Sequence, residues 1–168
     1  MVEHHLAPPL LGVIWDGTGY GDDGTIWGGE FFRVDGLEGD PNRRIKRIAH
    51  LRCFVLPGGD AAAREPRRAL LGLLHTIYGD NAPWERLGFA PEELRLLRSA
   101  LRVGVNVPTT SSMGRLFDAI AALLGLRQRN AFEADAAMAL EFAAARASRN
   151  DVTDVYPFAL QADALDVG

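Results

Sequence analysis

A stretch dense in glycine and acidic residues, WDGTGYGDDGTIWGGEF, occupies positions 15–31 and holds six glycines and four carboxylates. Glycine lets a backbone approach an anion closely, because it has no Cβ. Gly17 and Gly19 can present backbone N–H groups to a phosphate, with the Thr18 hydroxyl and Asp16 beside them. The stretch predicts a phosphate-binding loop. The alternative, a mobile glycine hairpin without a ligand, stays open at this point.

Two predicted strands flank this loop. Residues 10–15 indicate a short buried strand and residues 25–34 a second one, with Asp23 and Gly24 supplying the turn of a β-hairpin. Residues 45–56 alternate imperfectly and predict a third strand, which the sequence PGG ends. The glycine loop is therefore expected inside a β-hairpin.

The element that follows the glycines distinguishes between kinds of phosphate loop. In Walker and dinucleotide-binding loops the glycines lead from a strand into a helix, whose first N–H groups meet the phosphate. Here they lead into another strand, so this context excludes both kinds. A glycine hairpin on a phosphate is instead typical of actin-like and hexokinase-like nucleotide-binding domains.

The rest of the chain has helical spacing, over residues 61–78, 91–103, 112–124 and 132–147. Strands first and helices after them indicate an α+β fold, in one domain of 168 residues. The segment DVYPFAL, at 154–160, predicts one more strand close to the last residue, so the domain is expected to be incomplete.

Composition argues against two classes of partner. The net charge of -4 and the scarcity of basic clusters outside 43–47 argue against nucleic acid. No apolar run approaches the roughly 20 residues of a membrane span, so no membrane partner is expected. The lone Cys53 fits a reducing cytoplasm.

Four segments, in this order, resemble one family: LLGVIWDGTGYGDDGTIWGGEFFRV, LRCFVLPGGDAAAREPRRALLGLL, NVPTTSSMGRLFDAIAALLGL and FEADAAMALE. They are similar to the C-terminal TsaD-like domain of HypF, the carbamoyltransferase of NiFe hydrogenase maturation. The resemblance implies an actin-like, RNase H-like lobe of the ASKHA type. It further implies that residues 1–168 are a single partial domain, the first half of a two-lobed one.

The resemblance also implies a reaction. HypF-type proteins make carbamoyl-adenylate from ATP and carbamoyl phosphate, and the TsaD-like domain passes the carbamoyl group to the C-terminal cysteine of HypE. The chain alone is expected to be inactive, with a separate chain supplying the missing lobe. Two alternatives stay open: a non-enzymatic remnant that binds a maturation partner, and a TsaD-superfamily O-carbamoyltransferase acting on a small molecule.

Site residues follow from the same resemblance. Asp16 is the candidate catalytic residue, at the start of the phosphate-proximal loop. Gly17, Thr18 and Gly19 are the candidate phosphate-binding residues, and Asp118 is the candidate contact to a nucleotide ribose.

Helix geometry places Asp118 off the apolar face of its helix. At 100° per residue it points away from an apolar stripe and lies beside small alanines, which leave room for a ligand. Its removal is therefore expected to change stability little, and a solvated helix carboxylate is the alternative reading. The stripe consists of Leu116, Phe117, Ile120, Leu123 and Leu124.

Two positions depart from the family pattern. Relatives hold a divalent metal with H-H-x-A-H, but this chain has HHLAP, so His4 is a candidate ligand and Pro8 replaces the last one. His4 and His5 can equally be ordinary terminal histidines. Ala134 stands where the family prefers glycine, so a positive φ is costly there and a close nucleotide contact is not expected.

Overall fold

The computed structural model describes residues 6–36 and 44–147 of the chain. Within them the strands come first and the helices follow, which confirms the predicted α+β class. The candidate ligand His4 and the strand predicted at 154–160 lie outside these residues.

Five strands form one sheet: β1 (Leu10–Tyr20), β2 (Ile26–Val34), β3 (Ile45–His50), β4 (Phe54–Val55) and β5 (Thr109–Thr110). Strand β2 pairs antiparallel with β1 and β3, and its first residue pairs parallel with β5. Strand β4 pairs antiparallel with β5. The predicted strand 45–56 is therefore two strands, because the chain follows β2 first and then leaves it for β5.

Five α-helices are described: α1 (Ala61–Arg64), α2 (Pro66–Tyr78), α3 (Pro91–Val103), α4 (Met113–Leu123) and α5 (Asp135–Arg146). Short 3₁₀ turns at Gly79–Asn81 and Trp84–Leu87 join α2 to α3.

The helix boundaries follow from proline, glycine and serine. Pro66 is the first residue of α2, and this divides the predicted helix 61–78 in two, because proline has no N–H to donate backwards. Helix α3 has the predicted bounds, with Pro91 at its first position and left-handed Gly104 after its end. Ser112 caps α4, where its side-chain oxygen accepts the Arg115 N–H at 3.1 Å.

The core lies where α2 and α4 pack on the sheet. Gly72 lets α2 approach the sheet, since a Cβ there would lie 1.7 Å from the Val55 carbonyl oxygen. Ala119 and Ala122 of α4 are in the same core, while Leu123 is 58% exposed. Small residues allow closer helix packing than leucine does, so α4 buries its alanine face and exposes much of the predicted apolar stripe.

The sequence REPRR forms a charged cluster between α2 and α3. The buried Arg67 guanidinium donates to Glu65 at 2.9 Å, to Glu93 at 3.2 Å and to the Gly88 carbonyl at 3.0 Å. It also lies 4.2 Å from the centre of the Phe89 ring. These contacts make the segment a structural element of the fold, since arginine can satisfy several acceptors at once.

Strand β1 is an edge of the sheet and carries exposed apolar side chains. Leu11, Val13 and Trp15 are 63%, 51% and 59% exposed. In the part of the chain that the structure describes, no helix has the length and apolar character needed to cross a membrane.

Ala134 has the left-handed conformation that is costly for a residue with a Cβ. Its φ is 64° and its ψ is 10°, at the residue that precedes α5. The fold uses this backbone at the start of α5 although the residue is not glycine, and the nucleotide contact stays a prediction. A left-handed L-residue costs roughly 1–2 kcal/mol.

We expect Ala134→Gly to raise the free energy of unfolding by about 1 kcal/mol, because glycine adopts this backbone without the Cβ clash. Urea unfolding of the full chain measures the change. The matched control is Ala137→Gly inside α5, which should lower stability by about 0.5–1 kcal/mol. A loss of stability in both variants would contradict the assignment.

Candidate functional site

The predicted phosphate loop is a bulge within β1 and not the turn of the hairpin. Trp15 pairs with Gly29 and Gly19 with Trp27, so three residues of β1 lie opposite one residue of β2. The turn itself comes later, around Gly24, whose φ is 75°. Residues 19–24 have G-x-G-x-x-G spacing, but they lead into β2 and not into a helix. They therefore do not form a dinucleotide-binding loop.

The bulge rests on the first turn of α4. The Ser112 hydroxyl lies 3.1 Å from the Asp16 carbonyl oxygen and closer still to that of Gly17, so it donates to this pair of carbonyls. A Cβ on Gly114 would lie 2.7 Å from the Gly17 Cα, and one on Gly28 would lie 2.5 Å from the Asp16 carbonyl oxygen. Glycine at both positions is therefore a packing requirement.

The candidate phosphate-binding residues face open space. A Cβ added to Gly17 or Gly19 would meet no atom within 4 Å, and Thr18 is exposed. The Asp16 carboxylate is also exposed and accepts the Gly17 N–H at 2.6 Å. The structure thus fixes the carbonyl side of the bulge on α4 and leaves its other side accessible.

A buried carboxylate that the sequence analysis missed holds β2 in place. Glu30 is 2% exposed and accepts the N–H groups of Gly28 and Gly29 at 3.1 Å each, together with the Ser111 hydroxyl. Arg47 Nε donates to it at 2.5 Å. Burial raises the Glu30 pKa, but these hydrogen bonds outweigh it and hold the pKa below its usual range.

Arg47 extends this network to the hairpin turn. Its Nη1 lies 2.7 Å from the Asp23 carboxylate, and its guanidinium lies 4.2 Å from the centre of the Trp27 ring. Burial raises the Asp23 pKa, but hydrogen bonds from Thr25 and Trp27 and the charge of Arg47 lower it to about 2. The sequence does contain a sign of this network, because a glutamate inside the apolar run IWGGEFF indicates a buried charge that needs a partner.

Asp118 is buried, contrary to the helical-wheel expectation. Its side chain is 2% exposed, and its Oδ2 lies 3.0 Å from Nη2 of Arg115. Burial raises the Asp118 pKa to about 6, opposed by the Arg115 charge and by a hydrogen bond with Asn130. The helical wheel was wrong because α4 buries its alanine face and not its leucine stripe. Asp118 lies beside Ala119 and Ala121 on that buried side.

Helix α4 brings the bulge and Asp118 to one place. Gly114 and Asp118 are four residues apart, so they lie on the same face of the helix, one turn from each other. Gly114 touches the bulge at Gly17. The bulge predicted to contact phosphate therefore meets the first turn of α4, and Asp118, predicted to contact ribose, lies one turn further along the same helix.

Asn130 fixes the segment between α4 and α5 beside this helix. Its side-chain nitrogen donates to the Ala63 carbonyl at 2.9 Å, and its side-chain oxygen accepts the Ala136 N–H at 3.1 Å. Asp135 accepts a hydrogen bond from Arg127 at 2.8 Å. The start of α5 is thereby tied to both α1 and the loop after α4.

Cys53 and His50 lie close together but do not form a nucleophile and base. The sulfur is 3.7 Å from His50 Nδ1, which itself lies 2.8 Å from the Leu51 carbonyl oxygen. A carbonyl only accepts, so Nδ1 carries the hydrogen and cannot take the thiol proton.

No group of three or more His, Cys, Asp or Glu side chains in residues 6–36 and 44–147 is arranged to hold a metal ion. The candidate ligand His4 lies outside these ranges. Its assignment stays a prediction.

Sequence comparison relates this chain to carbamoyltransferases of the HypF type. A sequence model described as "Carbamoyltransferase, Kae1-like Domain, second subdomain" matches residues 12–167. Carbamoyltransferase HypF2 of Cupriavidus necator is 45% identical over 144 residues, covering 84% of this chain and 17% of its own length. Carbamoyltransferase HypF of Synechocystis is 40% identical over 177 residues, covering 95% of this chain and 22% of its own.

A solved HypF structure is also similar to this chain. The crystal structure of full-length HypF in the phosphate- and nucleotide-bound form superposes with a TM-score of 0.71 at 38% identity, covering 83% of this chain and 21% of that one. The chain thus spans about a fifth of the length of these relatives. The matched description names a second subdomain, and the expectation of a first half stays a prediction. The chain belongs to the HypF carbamoyltransferase family, in the Kae1-like domain of these proteins.

Proposed function

We propose that this chain is the part of a HypF-type carbamoyltransferase that holds carbamoyl-adenylate while its carbamoyl group passes to the C-terminal cysteine of a HypE-like protein. One observation carries the proposal. In a chain of this family, helix α4 joins the glycine bulge to buried Asp118, and these are the residues that the resemblance assigns to phosphate and ribose.

The accessible side of the bulge suits a phosphate. Gly17 and Gly19 have open space where a side chain would project. The Gly17 N–H already donates to the Asp16 carboxylate at 2.6 Å, so the anion is proposed to approach the backbone at Gly19. Thr18 adds a hydroxyl donor. On α4, the Oδ2 atom of Asp118 lies 3.0 Å from Nη2 of Arg115 without an aligned hydrogen bond, so it keeps the capacity to accept a ribose hydroxyl.

The transfer step exchanges one bond to the carbamoyl carbon for another. The cysteine sulfur attacks that carbon, a C–S bond forms, the C–O bond to the adenylate phosphate breaks, and AMP leaves. Asp16, an exposed carboxylate beside the bulge, orients the Gly17 amide and is the candidate acceptor of the thiol proton.

The second lobe and the cellular location are proposed from the family resemblance. A second lobe, from the same protein or a separate chain, closes the site and excludes water. The cytoplasm is the proposed location, where the thiol of a HypE-like partner stays reduced.

The transfer is tested with a chimera in which this chain replaces the matching segment of full-length HypF2 from Cupriavidus necator. With ATP, carbamoyl phosphate and a HypE-like protein, mass spectrometry should detect a carbamoyl group on the C-terminal cysteine. A partner with that cysteine changed to alanine is the control. The 168-residue chain alone should give no product, because one wall of a site cannot orient two substrates. Failure of a folded chimera that still makes carbamoyl-adenylate would contradict the proposed function.

Two glycine variants separate ligand contact from packing. Gly19→Ala should leave the free energy of unfolding within about 0.5 kcal/mol, since its Cβ would meet open space. It should weaken AMP binding to the chimera by roughly tenfold, about 1.4 kcal/mol. Gly29→Ala, whose Cβ would lie 2.3 Å from the Ser111 carbonyl oxygen, should cost about 1–3 kcal/mol of stability. Calorimetric titration and urea unfolding measure the two effects, and unchanged affinity in Gly19→Ala would remove the bulge from the binding site.

The buried Asp118 makes stability depend on pH in a defined direction. A pKa raised to about 6 disfavours the charged form in the fold, so Asp118 stabilises the protein below its unfolded pKa and loses that effect as pH rises through 6. Compared with Asp118→Asn, the wild type should therefore gain about 2 kcal/mol between pH 7.5 and pH 4.5. Urea unfolding of both proteins at each pH measures this difference, and carboxylates such as Glu30 cancel in it. A difference that does not change with pH would show that Asp118 stays ionised throughout.

A further inference from the structure

Three buried polar atoms near the start of α4 lack a hydrogen-bond partner among the described residues. They are Nε and Nη1 of Arg115 and Oδ2 of Asp118. The Arg115 side chain is 12% exposed and the Asp118 side chain 2%. The 3.0 Å approach of Arg115 to Asp118 is an ion pair without hydrogen-bond alignment. Single buried atoms of Arg44, Arg47, Arg68 and His75 also lack a partner among the described residues, but only at Arg115 and Asp118 do three such atoms lie on one ion pair. Because native proteins rarely leave buried polar atoms unpaired, this group of three is where a ligand contact is looked for.

The pair lies at the end of α4 that holds the bulge. Helical side chains lean toward the N-terminus, so the Asp118 carboxylate lies over the turn of Arg115. The residue before Arg115, Gly114, touches Gly17 of the bulge. The Arg115 backbone N–H also bonds Ser112, whose hydroxyl holds the bulge carbonyls.

Acidic side chains surround the bulge, so a phosphate that binds there needs a positively charged side chain nearby. Asp16 is an exposed carboxylate in the bulge and Asp22 is another in the hairpin turn that follows, and both repel an anionic ligand. Arg47 does not offset them, because it is bound to two carboxylates, Asp23 and Glu30, whereas Arg115 faces one, Asp118. A phosphate at the bulge therefore needs another positive group, and Arg115 is a buried one on the adjacent turn.

We propose that Arg115 donates to the nucleotide phosphate from the first turn of α4 and so selects nucleotides over nucleosides, an inference that rests on the proposed function. Asp118 holds the guanidinium in place through its ion pair and accepts from the ribose. Arg115 is a binding residue and takes no part in bond making or breaking.

The experiment compares AMP with adenosine, which lacks the phosphate, by calorimetric titration of the chimera. Arg115→Gln should weaken AMP binding roughly 10- to 100-fold and adenosine binding less than about threefold. Arg115→Lys keeps the charge and should retain part of the preference for AMP. Arg98→Gln on α3 is the matched control and should change neither affinity.

The outcomes are distinguishable. Equal losses for AMP and adenosine in Arg115→Gln would overturn this inference alone, because a residue that only positions Asp118 affects ribose binding in both ligands. Failure of the unmodified chimera to bind either compound would overturn the proposed function and this inference with it.

A measurement on the unmodified chimera covers the case in which Arg115→Gln does not fold. Inorganic phosphate should compete with AMP, because it binds where the AMP phosphate binds. It should leave adenosine affinity unchanged or improved, because adenosine has no phosphate. Phosphate that lowers adenosine affinity as much as AMP affinity, or neither, would contradict the proposed role of Arg115.

Discussion

The close approach of the β1 backbone to the first turn of α4 is the constraint on which the site depends. The Ser112 hydroxyl both caps the helix and holds the carbonyls of the bulge, so the start of α4 and the position of the bulge are set together. The approach is possible because Gly114 has no side chain where Gly17 passes. Moving either element moves the other, and with it the distance between the bulge and Asp118.

Two buried carboxylates flank this contact, and they differ in how well their own oxygens are satisfied. Glu30 accepts from two backbone amides, a hydroxyl and Arg47, so its pKa lies below the usual range although burial raises it. Asp118 faces Arg115 without an aligned hydrogen bond, and the effect of burial prevails, so its pKa is raised. A carboxylate with satisfied oxygens serves to fix a fold, whereas an unsatisfied one next to an accessible backbone is typical of a binding site.

Local signals predicted most of the fold, and contacts distant in sequence account for what they missed. The bounds of α3 were predictable because Pro91 and Gly104 act on their own neighbours. The bond between Glu30 and Arg47 crosses two strands whose register shifts at a bulge, which no local pattern encodes. The helical wheel failed for Asp118 because it ranks faces by apolar character, whereas close packing favoured the small face.

The resemblance proposes which residues form the candidate site, but it does not give their environment. It points to the bulge and to Asp118, which α4 connects in the structure. It did not reveal that Asp118 is buried beside Arg115, since burial of a carboxylate depends on neighbours from several elements. Ala134 shows the same limit, because its backbone is imposed by the start of α5 and not by its own preference.

The exposed indole of Trp15 gives the site a built-in optical label. Trp15 directly precedes the bulge and is 59% exposed, whereas Trp84 is 4% exposed, and Trp27 is covered by Arg47. Water-soluble quenchers of tryptophan fluorescence therefore reach Trp15 first, and the red edge of the emission spectrum belongs mainly to it. Any partner, lobe or nucleotide that covers the bulge shields this indole, so its occupancy can be followed in the unmodified protein without an attached dye.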